Sequence, residues 1–211
     1  DGCMMEGISS EAFSLAGTLG LGKLIILYDS NRISIEGDTD TVFREDVAKR
    51  MEAFGFQTLL VEDGTDLAAI GRAIEEAKAD TTRPSFITIR TEIGYGCPAK
   101  QGKASAHGEA LGVENVAAMR KNLGWEYDEP FFVPQEVYDH FEKAAESLAE
   151  TEAAWKVMFA AYCEEYPEME ALWNQYHGGT AKAVETLWED ESFWAPREKA
   201  DATRSLSGAI I

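Results

Sequence analysis

The segment LIILYDSNRISIEG, residues 24–37, decides the fold of this chain. Its first five residues form a short continuous apolar run, which is typical of a strand buried on both faces of a parallel sheet. Polar residues follow at once, and we expect a polar loop that extends to about Phe43. Asn31 and Ile33 therefore lie just past the carboxyl end of a buried strand, where open α/β sheets bind their ligands.

The segments that follow and precede this strand predict alternating helices and strands. Apolar residues recur at helical spacing over three stretches, and two further short runs have the composition of strands. The predicted helices cover 7–20, 47–54 and a stretch that starts at Asp66, and the further strands cover 57–61 and 85–90. Strands that alternate with helices form a parallel sheet with crossover helices. The predicted fold class is therefore α/β, a parallel sheet with helices on both faces.

A helical extension follows the predicted sheet. From about Pro134 the composition shifts to Ala, Glu and aromatic residues that recur three, four or seven positions apart, as in an amphipathic helix. We predict an α/β domain over 1–133, a helical extension over 134–200, and the start of a linker or next domain over 201–211. Because the chain begins with Asp and ends within a predicted helix, we expect it to be part of a longer protein.

The composition argues against several classes of partner. The 211-residue chain has a formal net charge of −19, whereas binding to nucleic acid or to an anionic membrane needs a basic surface. No apolar run reaches the roughly 18 residues of a membrane-spanning helix. The three cysteines, Cys3, Cys97 and Cys163, are odd in number and lack CxxC spacing, so we expect free thiols in a reducing, cytoplasmic compartment.

Asp1, Gly2 and Asn31 together suggest a site for a metal-bound diphosphate. Carboxylate and amide oxygens are hard ligands that suit Mg²⁺, which usually takes further oxygens from a bound phosphate. A glycine lets the backbone approach the diphosphate, and the N-terminus of a helix favours negative charge. From the spacing alone, a plain Asp-Gly turn and an ordinary loop asparagine remain the alternative.

Several separated motifs occur in an order that resembles one enzyme family. They are DGCMMEGISSEA (1–12), SLAG (14–17), LIILYDSNRISIEG (24–37), RMEAFGF (50–56), IGYG (93–96) and SAHGEALG (105–112). Together they closely resemble the thiamine-diphosphate motifs of transketolases, and the resemblance becomes looser after Trp125. It implies a thiamine-diphosphate-binding fold, in a fragment that lacks its N-terminal part and the pyrimidine and C-terminal domains.

The resemblance implies roles for the residues around the Asp-Gly turn. Asp1, Asn31 and the main-chain carbonyl of Ile33 would be the metal ligands, for Mg²⁺ or for Ca²⁺ or another divalent ion. The diphosphate of the thiamine cofactor would supply further oxygens. Gly2 would meet the cofactor with its backbone, and Ile35 would either pack on the cofactor rings or fill the core beneath its loop.

The resemblance also implies catalytic roles for Glu6, Glu11 and His107. Glu6 and Glu11 are similar to acidic residues of a hydrogen-bonded network at the transketolase dimer interface; the alternative is a favourable interaction with the dipole of the first helical turn. His107, in its Ser-x-His-Gly setting, is similar to the histidine that reaches the substrate hydroxyl and lies at the cofactor. A neutral imidazole can donate a hydrogen bond or shuttle a proton near pH 7. The alternative is an ordinary loop histidine.

The segment ATRSLSG, residues 202–208, resembles the transketolase segment whose arginine holds the sugar phosphate. Arginine binds phosphate with two parallel hydrogen bonds, and the N-terminus of a helix adds donors. We therefore predict that Arg204 and Ser207 contact the substrate phosphate. A solvated arginine at a domain edge is the alternative.

The function implied by the resemblance is the transfer of a two-carbon ketol unit from a ketose phosphate to an aldose phosphate, in the pentose phosphate pathway. Transketolases are homodimers whose active sites are shared between subunits, with an essential glutamate in the partner's pyrimidine domain, so we expect the 211-residue chain alone to be inactive. Three alternatives stay open: dihydroxyacetone synthase, another thiamine enzyme such as a deoxyxylulose-phosphate synthase, and a non-catalytic subunit of a split enzyme.

Overall fold

The computed structural model of the chain describes residues 1–177, 180–196 and 199–210. The first part of the chain alternates helices and strands, and the last part is helical. In chain order the elements are α1 (Gly2–Met5), α2 (Gly7–Thr18), β1 (Ile25–Ser30), β2 (Ile33–Ser34), β3 (Gly37–Asp38), α3 (Val47–Ala53), β4 (Gln57–Val61), α4 (Leu67–Ala79), β5 (Ser85–Arg90), α5 (Val113–Asn122), α6 (Gln135–Glu165), α7 (Pro167–His177), α8 (Thr180–Glu189), α9 (Glu191–Trp194) and α10 (Thr203–Ile210). Short 3₁₀ turns cover Thr39–Thr41 and Ala104–Ala106.

Three parallel strands form the main sheet, in the order β1-β5-β4. Ile25 of β1 and Gln57 of β4 both lie opposite Ser85 of the central strand β5, so the three carboxyl ends meet at one edge. Residues 85–89 of β5 are all buried. The prediction that β1 is buried on both faces is wrong for this chain, since Leu27 is 50% exposed. A continuous apolar run does not distinguish an edge strand with one covered face from a central strand.

Helices cover both faces of this sheet, and each face has its own core. On one face α2 and α3 pack over a cluster that contains Tyr28, Met51, Phe56 and Phe86. On the other face α4 packs over Val61 and other aliphatic side chains of the strands. The predicted fold class, a parallel α/β sheet with helices on both faces and a helical extension after it, is confirmed.

The predicted element boundaries agree with the structure most closely where side chains cap the helices. The Asp46 carboxylate accepts from the Lys49 backbone at 3.1 Å and begins α3, and the Asp66 carboxylate does the same for Ala69 at 2.9 Å and begins α4. The predicted polar loop before Phe43 differs from the structure, which has the small antiparallel pair β2–β3 and a 3₁₀ turn there. Strands of two residues are too short to show a period of two in the sequence.

The chain divides into two compact units, Asp1–Glu129 and Pro130–Ile211. Within the second unit, α6 and α7 pack through an aromatic cluster in which the ring of Phe159 lies 4.9 Å from those of Trp155 and Trp173. The domain boundaries predicted after residues 133 and 200 stay predictions. In the described part of the chain, no helix is both long and apolar enough to cross a membrane.

Candidate functional site

The Asp1 carboxylate anchors the loop that follows β1. Asp1 is the N-cap residue of α1, yet its side chain makes no capping hydrogen bond. Its Oδ2 atom accepts from the backbone N–H groups of Asn31, at 3.0 Å, and Arg32, at 2.6 Å. Its Oδ1 atom accepts from the Tyr28 hydroxyl. The carboxylate therefore ties the start of the chain to the carboxyl end of β1.

Tyr28 supplies this hydrogen bond from inside the core. Its side chain is buried against Phe86, with the two ring centres 5.5 Å apart. Burial raises the pKa of the Tyr28 phenol, because a phenolate would be poorly solvated there, although a hydrogen bond with Ser30 and the charge of Arg90 act in the opposite direction. At neutral pH the hydroxyl is therefore protonated and donates to Asp1.

The Asn31 amide is held in one orientation by its two ends. Its Oδ1 atom accepts from the Ile33 backbone N–H at 2.9 Å, and its Nδ2 atom donates to Asp29 at 3.4 Å. Between these residues, Arg32 has a φ of +61°, in the left-handed region that non-glycine residues seldom occupy. The Arg32 carbonyl accepts from Thr39 at 2.9 Å, so both backbone polar groups of this residue are used.

The oxygen atoms of this loop suit a hard divalent cation. The Asp1 carboxylate, the Asn31 amide oxygen and the Ile33 carbonyl are the donors predicted from the sequence, and the hydrogen bonds above bring the first two residues together. Among the described residues, no three His, Cys, Asp or Glu side chains form a metal cluster, so a cation here would depend on one carboxylate together with amide, carbonyl and phosphate oxygens. That donor set fits Mg²⁺ or Ca²⁺ better than a softer transition metal.

Two cavities open beside this loop. One of about 650 Å³ is lined by Asp1, Tyr28 and Thr58, among others, and one of about 390 Å³ is lined by Asn31 and Ile33. Ser30, Arg32 and Arg90 line both of them. The predicted ligands therefore face two cavities that share a wall. Arg90 donates to the Ser30 hydroxyl at 2.6 Å and contributes a positive charge to that wall.

Gly2 and Ile35 are open to approach from solvent. A Cβ atom added at Gly2 would meet no other heavy atom within 4 Å, so its backbone is accessible at the start of α1. Ile35, in the turn between β2 and β3, is 69% exposed. Of the two roles predicted for Ile35, filling the core beneath its loop is therefore wrong in this chain, while packing on a cofactor stays a prediction.

Glu6 and Glu11 are both exposed on the first unit. Glu6 is the N-cap residue of α2 and makes no capping hydrogen bond with its side chain. The backbone beside it is fixed by Arg50, which donates to the Met4 carbonyl and to the Ser10 hydroxyl, both at 2.8 Å. The two carboxylates are therefore available to a partner, and their network across a dimer interface stays a prediction.

His107 lies in the long segment that follows β5. It ends the Ala104–Ala106 turn, is exposed, and lines neither of the two cavities. The segment folds back on itself at Gly94, whose φ is +66° and where an added Cβ would lie 2.9 Å from that of Ala106. His107 therefore belongs to the segment that leaves the sheet at the same edge as Asn31, and its role stays a prediction.

Arg204 and Ser207 lie on α10, in the second unit. Both side chains are exposed and stand three positions apart on the helix, so they share one face. This placement is compatible with two donors to one phosphate group, and their role stays a prediction.

Sequence reasoning missed residues that hold the predicted ligands in place. Tyr28 donates to Asp1, Arg32 adopts the left-handed conformation between Asn31 and Ile33, and Asp29 receives both the Asn31 amide and the Thr91 hydroxyl. Thr91 directly follows the predicted strand 85–90, and this position at the edge of the sheet could have indicated that it belongs to the site.

Polar side chains gathered beyond the carboxyl ends of parallel strands place this chain among the α/β proteins that bind a ligand at that edge. Comparison with known families identifies the group more closely. Residues 1–181 match the family model described as the transketolase thiamine diphosphate binding domain, and the chain belongs to that family.

Relatives of known sequence and structure agree with this assignment. A transketolase from Nostoc sp. is 52% identical over 212 residues, which cover 100% of this chain and 31% of the relative. A crystal structure of a transketolase variant from Pichia stipitis superposes with a TM-score of 0.79 at 36% identity, covering 100% of this chain and 31% of that one. A Pichia stipitis transketolase in complex with sedoheptulose 7-phosphate superposes with a TM-score of 0.75 at 41% identity, covering 83% of this chain and 26% of that one. The chain thus spans about a third of the length of such relatives.

Proposed function

We propose that this chain holds the diphosphate of thiamine diphosphate through a divalent cation, in a protein that transfers a two-carbon ketol unit from a ketose phosphate to an aldose phosphate in the pentose phosphate pathway. The single observation that carries the proposal is the loop after β1, where the Asp1 carboxylate binds the backbone of Asn31 and Arg32 within a transketolase-family domain. The relative in complex with sedoheptulose 7-phosphate supports sugar phosphates as the substrates.

The residues of this chain would bind and orient the cofactor. Asp1, Asn31 and the Ile33 carbonyl would hold Mg²⁺, with Ca²⁺ or another divalent ion as a substitute, and Gly2 would allow the diphosphate to approach the start of α1. Ile35 would pack on the cofactor rings. When bound, thiamine diphosphate supplies the nucleophilic carbon and the electron sink that carbon–carbon bond cleavage needs.

Other residues would act on the substrate or join subunits. His107 would donate a hydrogen bond to substrate oxygens or move a proton at its imidazole, and it would also contact the cofactor. Arg204 and Ser207 would bind the sugar phosphate. Glu6 and Glu11 are exposed and would meet a second copy of the protein in a homodimer with shared active sites. The three free cysteines, all within the described residues, support a reducing, cytoplasmic location.

The metal site is tested by removing its ligands in the full-length protein. Asp1→Ala and Asn31→Ala should each weaken binding of thiamine diphosphate in the presence of Mg²⁺ by at least tenfold, about 1.4 kcal/mol, because each removes an oxygen ligand. Titration calorimetry measures this affinity. Asp80→Ala, which removes a half-buried carboxylate before the amino end of β5, is the control and should bind normally. Unchanged affinity in both ligand variants would overturn the metal assignment.

A further inference from the structure

We propose that Asp29 and Thr91 form a clasp across β1 and β5 that fixes the side-chain amide of Asn31, and that both are positioning residues for the bound metal. The inference rests on the metal site proposed above. It assigns a role to two residues that do not bind the metal themselves: Asp29, which lies within the 24–37 motif, and Thr91, which lies outside the quoted motifs. The clasp is defined by Asp29 of β1 and by Thr91, the first residue after β5.

The register of the sheet brings the clasp together. Asp29 lies opposite Ile89 and Ser30 lies opposite Arg90, so Thr91 reaches the end of β1. The Thr91 backbone N–H donates to the Ser30 carbonyl at 3.4 Å. The Thr91 hydroxyl donates to Oδ1 of Asp29, and the Asn31 amide nitrogen donates to Oδ2 at 3.4 Å. One oxygen of this carboxylate thus holds Thr91 at the end of β5, and the other holds Asn31 just after β1.

The orientation of the Asn31 amide decides whether it can bind a cation. Its oxygen can coordinate a metal, whereas its –NH₂ group is only a donor and cannot. With the –NH₂ turned to Asp29, the oxygen lies on the side of the Ile33 backbone N–H, which it accepts at 2.9 Å. A rotation of the amide by 180° would place two donors against each other at Ile33 and two acceptors against each other at Asp29. The carboxylate therefore opposes the orientation that cannot bind metal.

The effect of the clasp differs from that of a bond that only joins two strands. A purely structural bond would change the unfolding midpoint and leave metal affinity alone. A positioning contact acts through Asn31 and should have no further effect once Asn31 is gone. Partners of metal ligands generally change affinity by 10–100-fold when they are removed, which makes the difference measurable.

The test measures Mn²⁺ binding by electron paramagnetic resonance in the full-length protein with thiamine diphosphate present and no sugar substrate. Asp29→Ala should weaken Mn²⁺ binding about tenfold. Thr91→Val, which keeps the shape and loses the hydroxyl, should act in the same direction with a smaller loss. Asp29→Asn should recover most of the affinity, because its amide can accept from Asn31 and donate to Thr91. Thr91→Ser keeps the hydroxyl and should match the parent.

Controls separate this inference from the proposed metal site. Asp80 and Thr82 form a similar Asp–Thr pair before the amino end of β5, so Asp80→Ala and Thr82→Val should leave Mn²⁺ affinity unchanged. In the Asn31→Ala background, Asp29→Ala should add no further loss. If Asn31→Ala weakens binding while Asp29→Ala and Thr91→Val do not, or if the losses are additive, the clasp is refuted. If Asn31→Ala itself has no effect, Asn31 is not a metal ligand and the clasp is refuted with that assignment.

Discussion

A substitution at Arg32 should make this chain more stable, because of the conformation of its backbone. Its φ of +61° lies in the left-handed region, where the Cβ atom of an L-residue crowds the following carbonyl. The two hydrogen bonds that hold the residue, from its N–H to Asp1 and from Thr39 to its carbonyl, use backbone atoms that glycine also has. Arg32→Gly therefore removes the crowding and keeps the bonds.

The expected gain is the difference between two opposing effects. The left-handed conformation costs an L-residue roughly 1–2 kcal/mol. Glycine loses more conformational entropy on folding, which costs roughly 0.5–1 kcal/mol. The side chain of Arg32 is exposed, so its removal contributes little. The net increase in the free energy of unfolding should be about 0.5–1 kcal/mol, which corresponds to a rise of about 1–4 °C in Tm for a chain of this size.

Urea unfolding followed by circular dichroism, supported by calorimetric Tm values, measures this change. Arg32→Ala is the matched control, because it removes the same guanidinium and keeps the Cβ atom that causes the crowding. It should be no more stable than the parent chain. A loss of stability in Arg32→Gly would refute the reasoning, and so would an equal gain in Arg32→Ala, since that gain would come from the charge and not from the backbone.

The remaining predictions concern packing and the proposed substrate contacts. Gly17→Ala should lower the free energy of unfolding, measured with urea, by about 3 kcal/mol, because its Cβ would lie 1.7 Å from the Phe54 carbonyl oxygen. Gly71→Ala, in open space on α4, should raise the same free energy by about 0.5–1 kcal/mol, and similar values for the two would contradict this packing argument. His107→Ala in the full-length protein should lower kcat/KM on ketose phosphates by roughly 10²–10⁴-fold with cofactor affinity nearly intact, and normal turnover would make His107 an ordinary loop residue. Arg204→Ala should raise KM for phosphorylated donors by an amount equivalent to about 1.5–3 kcal/mol and barely affect hydroxypyruvate; an equal loss on both would indicate a structural role.

The sheet could be predicted from the sequence wherever turn residues bound an apolar run. The strands Gln57–Val61 and Ser85–Arg90 begin and end where the pattern predicts, because Gly55 precedes the first and Pro84 the second. The position of β1 at the edge could not be predicted, since strand order depends on contacts distant in the chain. The β2–β3 pair was missed because two residues per strand leave no periodic signal.

The candidate site also contains some features that could be predicted from the sequence and others that could not. Asp1 and Asn31 could be placed together because their carboxylate and amide oxygens suit one metal-bound diphosphate, and Asn31 follows a strand at the edge where such sheets bind ligands. The contribution of Asp29 could not be predicted, because it depends on the register that sets Thr91 beside it. The left-handed conformation of Arg32 could not be predicted either, since arginine has no preference for positive φ. Hydrogen bonds with Asp1 and Thr39 hold the residue in that conformation.

These contacts make the proposed metal ligands depend on one another. The Asp1 carboxylate would bind the cation and also holds the backbone N–H groups of Asn31 and Arg32, so Asp1→Ala removes an oxygen ligand and frees the loop that presents the others. Asn31→Ala removes an oxygen ligand and leaves those two backbone bonds in place. Without its bond to Asp1, Arg32 loses one of the two contacts that offset its left-handed conformation. Asp1→Ala should therefore lower metal affinity more than Asn31→Ala does. The difference between the two losses would measure the part of the metal affinity that depends on the shape of the loop, beyond the loss of one oxygen ligand.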